Sequence, residues 1–428
     1  MSINLADLRA DGGPRAGVPA QPPPSTRRHT WLDALRGVAV LAVLFEHLLD
    51  PLFPEVRSAV SPWFDFGQYG VMVFFLVSGY VVPASLERRG SVGGFWLGRL
   101  FRLYPLWILV AVAGTLFGLL PVYTELPAQL AGQPVTAGLA HLTMLQDFLQ
   151  LPSVVNVFWT LSYEMVFYLL VTAIFVCAPH RPRTTGTLVV VTAAVLAGGL
   201  LPAGALSRGL GVEAVVLIAT TVLVAGLAAV LVGGRRVRLA GAVALAVPAV
   251  VLIGCNSRIG AWQSLAIVAT MFAGTALHRL DQGQLPRNAR WAVGLVPVVC
   301  VAAALWFGPG WGMPQEQALA FRWSWSAAVV AAWLTFVAFR LLPVALPRLL
   351  VRLGLISYSV YLLHPLAVQV LRRLVPYPGL VSLPARVAWS MGLAGVVVAV
   401  GTLSYRCVEL PAQGVGRRLI RARTRPRA

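Results

Sequence analysis

Arg36 and His47 stand eleven positions apart in WLDALRGVAVLAVLFEHLL, Trp31 to Leu49, a stretch long and apolar enough to cross a bilayer as a helix. At 100° per residue, that spacing brings the two side chains within about 20° of each other around the axis, with roughly 16 Å between them along it. Asp33 lies close to the same face. A histidine titrates near neutrality and can take a proton from an attacking hydroxyl, while an arginine holds anions through charge-assisted hydrogen bonds. Ionisable groups inside a bilayer are costly, so an aligned polar stripe in a membrane helix marks a functional site by default. The bland alternative has Arg36 snorkelling to the headgroups and His47 closing the far end beside water. Glu46 points about 100° away from its neighbour His47 and is excluded as the group that orients the imidazole.

Four further places break the apolar pattern. Glu164 lies several residues inside the run FWTLSYEMVFYLL, where a carboxylate needs a proton, a partner or a cavity. Arg36, Arg99 and Arg102 are its candidate cations, and a purely structural ion pair is the alternative. Arg99 and Arg102, one turn apart in RLFRLYPLW, suit either an anionic ligand or lipid phosphates. Ser78 stands one turn from Phe74 and Phe75 in GVMVFFLVSGY, and its Ser-Gly pair permits close approach by a helix or a ligand. Helix packing is the simpler account of Gly79 alone. In ISYSVYLLHPL, Ser357, Tyr361 and His364 follow an i, i+4, i+7 spacing and share one helix face. His364 also precedes Pro365, so serving backbone freed by the kink is its alternative role.

The elements that must position these groups are membrane helices. The 428 residues are 58% hydrophobic and 11% charged, with mean hydropathy +0.78, more apolar surface than a soluble protein of this size could hide. The net charge of +19 would suggest nucleic acid in a soluble protein, but the 34 basic residues are all arginine and mostly flank apolar runs. Positive-inside anchoring against membrane lipid explains them, and nucleic acid is excluded as a partner. Cys177, Cys255, Cys300 and Cys407 lie far apart in or beside apolar runs, without metal or disulfide spacing, and read as packing residues.

Residues 1–28, rich in Gly, Pro, Ala and Arg, predict a disordered tail. TRRHTWL has a faint twin-arginine look, but the run after it is full length, charged and without a cleavage site. Apolar runs follow at about 31–49, 70–86, 100–120, 157–178, 187–203 and 213–232, then 239–254, 262–279, 291–307, 324–341, 354–371 and 385–405. With the N-terminus in the cytoplasm, only Arg57, Arg208, Arg258, Arg322, Arg372, Arg373 and Arg386 fall on the opposite side. The reading is an all-α, polytopic transmembrane helical bundle of about 10–12 spans with both termini cytoplasmic. The loop at about 121–156, with Glu125, His141 and Asp147, is either a cover for a cavity mouth or a connector. Residues 187–350 read as scaffold without an internal repeat.

These blocks, in this order, resemble the acyltransferase-3 family of integral-membrane O-acyltransferases. LDALRG with Arg36 and His47, GVMVFFLVSGY, RLFRLYP, WTLSYEMVFY, SYSVYLLHPL and SYRCVELP carry the likeness across residues 31–411. It implies a membrane domain at 29–411, followed by a basic cytoplasmic tail at 412–428, in the plasma membrane of a bacterium. It also implies an acyl group, acetyl or short-chain, taken from acyl-coenzyme A as a donor substrate with no permanently bound cofactor. The group goes to a hydroxyl of a carbohydrate or of a glycosylated natural product such as a macrolide. In this reading His47 is the general base, assisted by Arg36 and Glu164. Arg99, Arg102, Ser78, Tyr361, His364 and Trp159 hold the substrates. The rival class is a transporter or flippase for a glycan, lipid or antibiotic, which needs no coenzyme.

Overall fold

A backbone inside a bilayer finds no water for its N–H and C=O groups, so apolar runs of this length must close their hydrogen bonds internally as helices. A computed structural model of the chain describes residues 30–120, 126–178, 184–309, 314–341, 346–375, 377 and 380–424. The expected disordered tail, 1–28, and the basic triplet 181–183 lie outside the described residues. Every regular element among them is helical. The long helices are α1 (Thr30–Leu52), α2 (Phe66–Arg89), α3 (Val92–Leu119), α4 (Trp159–Cys177), α5 (Thr184–Gly198), α6 (Val212–Val232) and α7 (Arg235–Cys255). They continue with α8 (Ala261–Asp281), α9 (Arg290–Phe307), α10 (Gln315–Leu341), α11 (Arg348–Leu355), α12 (Ser357–Leu374), α13 (Leu383–Ser404) and α14 (Leu410–Thr424).

Each of the twelve apolar runs becomes helix, but they are not twelve equal spans. Among the described residues, eight helices are long and apolar enough to cross a membrane, and a ninth follows if the bent pair α11–α12 counts as one. The run expected at 187–203 yields only the 15-residue α5. α1 and α8 are of similar length but fall outside these eight: α1 carries Asp33, Arg36, Glu46 and Asp50, and α8 holds Gln263, Ser264, Thr270, Thr275 and His278. The C-terminal tail expected from 412 is helical through 424 and lies against α3.

The core is built around α2, which packs on α1, α8 and α10. Gly79 and Gly274 let α2 and α8 touch at backbone distance: a Cβ on Gly79 would stand 1.9 Å from the Met271 carbonyl oxygen, and one on Gly274 would stand 2.4 Å from that of Leu76. The simpler account of Gly79, helix packing, therefore holds. α2 ends cleanly at Gly90, in the left-handed region at φ 61°, and Ser91 caps α3 by accepting a hydrogen bond from the Gly94 amide. This two-residue connection sets the arginines at the end of α2 beside those at the start of α3. The chain also bends by 75° at Ile356, between α11 and α12, so that α12 starts afresh at Ser357 inside the bundle.

Candidate active site

Two places emerge, joined by one tyrosine. The first is a cavity lined by Arg36 of α1, Ser78 of α2, Arg99 and Arg102 of α3, Glu164 of α4 and Tyr361 of α12, among others. Five helices that are distant in sequence thus deliver the expected polar groups to one space. Glu164 takes a 2.8 Å bond from the Ser78 hydroxyl on Oε1 and a 2.6 Å bond from the Tyr168 hydroxyl on Oε2. The direct cation partner expected for Glu164 is absent among the described residues. Two hydroxyls satisfy its carboxylate, and the arginines stand further off across the cavity. Arg36 reaches Asp33 at 3.5 Å. The Arg99 guanidinium lies 5.3 Å from the Phe95 ring centre and 5.1 Å from that of Tyr168, within cation–π range of both rings.

The second place is a pair of histidines. The rings of His47 and His364 meet edge to face with centroids 4.7 Å apart and planes at 76°. His47 Nδ1 stands 2.8 Å from the Val43 carbonyl oxygen, and His364 Nδ1 stands 3.2 Å from that of Val360. A carbonyl only accepts, so each Nδ1 carries the proton and each Nε2 is left as the basic nitrogen. His364 Nε2 is buried without a partner among the described residues. Its Nδ1 thus serves the backbone carbonyl of Val360, while its other nitrogen is spare.

Tyr361 joins the two places. It lines the cavity, its hydroxyl lies 3.1 Å from that of Thr160, and its ring centre is 5.8 Å from that of His364. The i, i+4, i+7 stripe therefore runs from Ser357 on the cavity wall to the histidine pair. Arg36 and His47 share a helix face as expected, but they belong to the two different places. Their separation of roughly 16 Å along α1 keeps them from acting on one atom. Trp159 does not line the cavity; its ring packs on Tyr163 at 5.6 Å and on the cavity residue Phe75 at 6.4 Å.

Glu46 stays apart from His47, as its position predicts, and pairs at 2.5 Å with Arg57. Arg386 pairs with Glu55 at 2.5 Å and donates to the Leu52 carbonyl, tying α13 to the end of α1 near His47. Sequence reasoning did not single out Tyr168, Thr160, Tyr358 or Glu409. Tyr168 was legible, being one turn beyond Glu164. Tyr358 donates to the Leu103 carbonyl on the cavity wall. Buried Glu409 accepts from Ser359 in the π-helical turn Tyr405–Glu409. Both depend on contacts between elements distant in the chain.

A helical membrane bundle with half-buried arginines, a hydroxyl-held glutamate and a histidine pair defines a membrane-embedded site equipped for acid-base and anion chemistry. The chain belongs to the acyltransferase family described as "Acyltransferase domain", whose profile matches residues 29–405. It is 33% identical over 156 residues to the acyltransferase MdmB of Streptomyces mycarofaciens, covering 34% of this chain and 39% of that relative. A putative O-acetyltransferase of Staphylococcus aureus is 34% identical over 91 residues, 20% of this chain and 13% of its own. The peptidoglycan O-acetyltransferase OatA of Listeria monocytogenes is 28% identical over 153 residues, 32% of this chain and 23% of its own. The chain thus matches well under two thirds of the length of these relatives. No solved structure gives a significant match.

Proposed function

We propose that the protein is an O-acyltransferase of the bacterial plasma membrane. It takes an acyl group from acyl-coenzyme A and moves it to a hydroxyl of a carbohydrate or a glycosylated natural product such as a macrolide. The observation that carries this reading is that Tyr361 both lines the arginine-bearing cavity and packs at 5.8 Å against His364 of the histidine pair. The arginines lie toward the Arg-rich, cytoplasmic side, where an anionic donor would enter. Because Arg36 is a helix length away from His47, its part is to hold the donor rather than to stabilise the oxyanion. Broken helix α12 starts on the same wall, and its N-terminus adds positive potential there.

In the reaction, the acceptor oxygen attacks the thioester carbonyl carbon while Nε2 of His47 takes its proton. The tetrahedral intermediate collapses, the carbon–sulfur bond breaks, and the leaving thiolate takes that proton from the imidazolium. His364 Nε2 offers an acceptor for a second hydroxyl on the sugar, which would orient the attacking one. Glu164, fixed by Ser78 and Tyr168, keeps the facing guanidiniums in place.

The test is thiol release and label transfer from radiolabelled acyl-coenzyme A, with pooled hydroxyl acceptors, by wild type and His47→Ala. Acceptor-dependent transfer that drops by about 10³-fold in the variant is expected. Equal rates from both proteins would remove His47 from the chemistry. Absence of any transfer, combined with solute uptake into proteoliposomes, would make the protein a transporter.

A further inference from the structure

A second, outer cavity lies between the end of α2, the start of α3 and α14. Its wall carries Arg88 and Arg89 from α2, Arg99 and Arg102 from α3, and Arg417 with Gln413 from α14. No carboxylate lines it, and none pairs with these arginines among the described residues. Their convergence is built by the fold. The turn at Gly90–Ser91 folds α2 back on α3, and Arg89 donates to the Gly94 carbonyl at 3.0 Å. Its guanidinium occupies the space that a Cβ on Gly98 would need, at 2.7 Å. Gly416 brings α14 against Phe101, where a Cβ would stand 2.8 Å from that ring's own Cβ, and this contact sets Arg417 on the third wall.

Five like charges around one space repel each other, and a polyanion entering it relieves that cost. Arg99 and Arg102 belong to the walls of both this cavity and the inner one that contains Glu164. An occupant with a phosphorylated head and a long neutral arm would therefore place the head outside and the arm inside. We propose that the outer cavity is the dock for the 3′-phosphate and diphosphate of the coenzyme, with Arg88, Arg89 and Arg417 as its phosphate-binding residues. The proposal rests on the acyl-coenzyme A reading above. It leaves Arg99 and Arg102 at the neck between the two cavities, beside the pantetheine arm. A lipid headgroup offers the same phosphate chemistry, so the experiment must separate the two sources.

Purified protein in discs of neutral phosphatidylcholine would be titrated with coenzyme A and with dephospho-coenzyme A. The wild type is expected to bind coenzyme A about tenfold tighter, the contribution of one charge-assisted phosphate contact. In the double variant Arg88→Gln with Arg417→Gln, both exposed positions, the two affinities should fall to within about twofold of each other. Equal affinities in the wild type would overturn the dock while leaving the donor reading intact. Failure of either coenzyme to bind would instead overturn the donor reading and the dock with it. Preference for coenzyme A surviving in the variant also overturns the assignment. If the variant with that surviving preference has also lost phosphatidylglycerol that co-purifies with the wild type, the cavity is a lipid headgroup site instead.

Discussion

The histidine pair and the connector before α4 handle the same side chain in opposite ways. His47, His141 and His364 each use Nδ1 to reach the carbonyl four residues earlier. In the connector, His141 Nε2 accepts a 3.2 Å bond from the Val154 amide, so both ring nitrogens are consumed. Nearby Asn256 donates to the Phe148 carbonyl and the Ser207 hydroxyl and accepts from the Ser207 amide, while its own carbonyl accepts from Gln150. These groups are saturated within the protein and act as structure. In the site, polar groups are fixed from one side and open on the other: His364 Nε2 lacks a partner among the described residues, and Glu164 faces a cavity. An unmade hydrogen bond in a buried place costs about 1–3 kcal/mol, so it persists where a substrate completes it.

The contrast can be broken or sharpened by substitution. After His47→Ala itself, the largest loss should come from Glu164→Gln. The amide keeps the shape but loses the charge that faces the guanidiniums, and kcat/KM should fall about 100-fold with folding intact. Unchanged steady-state kinetics would place Glu164 with the structural groups. His364→Asn should lower kcat about tenfold while coenzyme binding, read by titration, stays within twofold, consistent with a role toward the acceptor. A shift confined to coenzyme affinity would instead tie the pair to the donor side.

In the connector the readout changes from rate to stability. Asn256→Ala removes three side-chain hydrogen bonds and should destabilise the protein by about 2–3 kcal/mol, seen as a lower melting temperature, with the rate per folded molecule preserved. The smallest effect belongs to Asp147→Asn. Burial raises this carboxyl to about 6, with Arg258 opposing the shift. The folded state therefore favours the protonated acid. The stabilisation it gives is present below an unfolded value of about 3.9 and is lost as pH climbs through about 6. Asp147→Asn should melt higher than wild type above pH 6, with transfer activity unaltered. A melting difference that is independent of pH would show that the carboxyl does not titrate in this window.

Several features were legible in particular residues. The Ser357, Tyr361, His364 stripe needed only helix periodicity, and the separation of Glu46 from His47 needed only the angle between neighbours. The connector at 121–156 offered a choice between cover and passive link. It folds as two short helices and a buried turn, with Met144 and Gln150 at positive φ, and residues 121–125 lie outside the described residues. Its network runs through Asn256, more than a hundred residues away, so no local pattern could reveal it. The division of the expected site into two places was equally hidden. Alignment on one face of α1 suggested a joint role for Arg36 and His47, whereas the neighbours that each one meets come from other helices.

By itself the sequence determined the class of element and its chemistry. Apolar runs of spanning length must be helical in lipid, and arginines, histidines and a glutamate set inside them must be paired, cavity-facing or functional. Only the tertiary structure decided which groups meet. Glycine contacts at backbone distance set how α2 lies between its neighbours, and the bend at Ile356 aimed α12 from the cavity to His47. The physical reason is that helix periodicity fixes the direction of a side chain about its own axis, while crossing, tilt and breaks fix what stands opposite it. Those depend on packing between segments hundreds of residues apart.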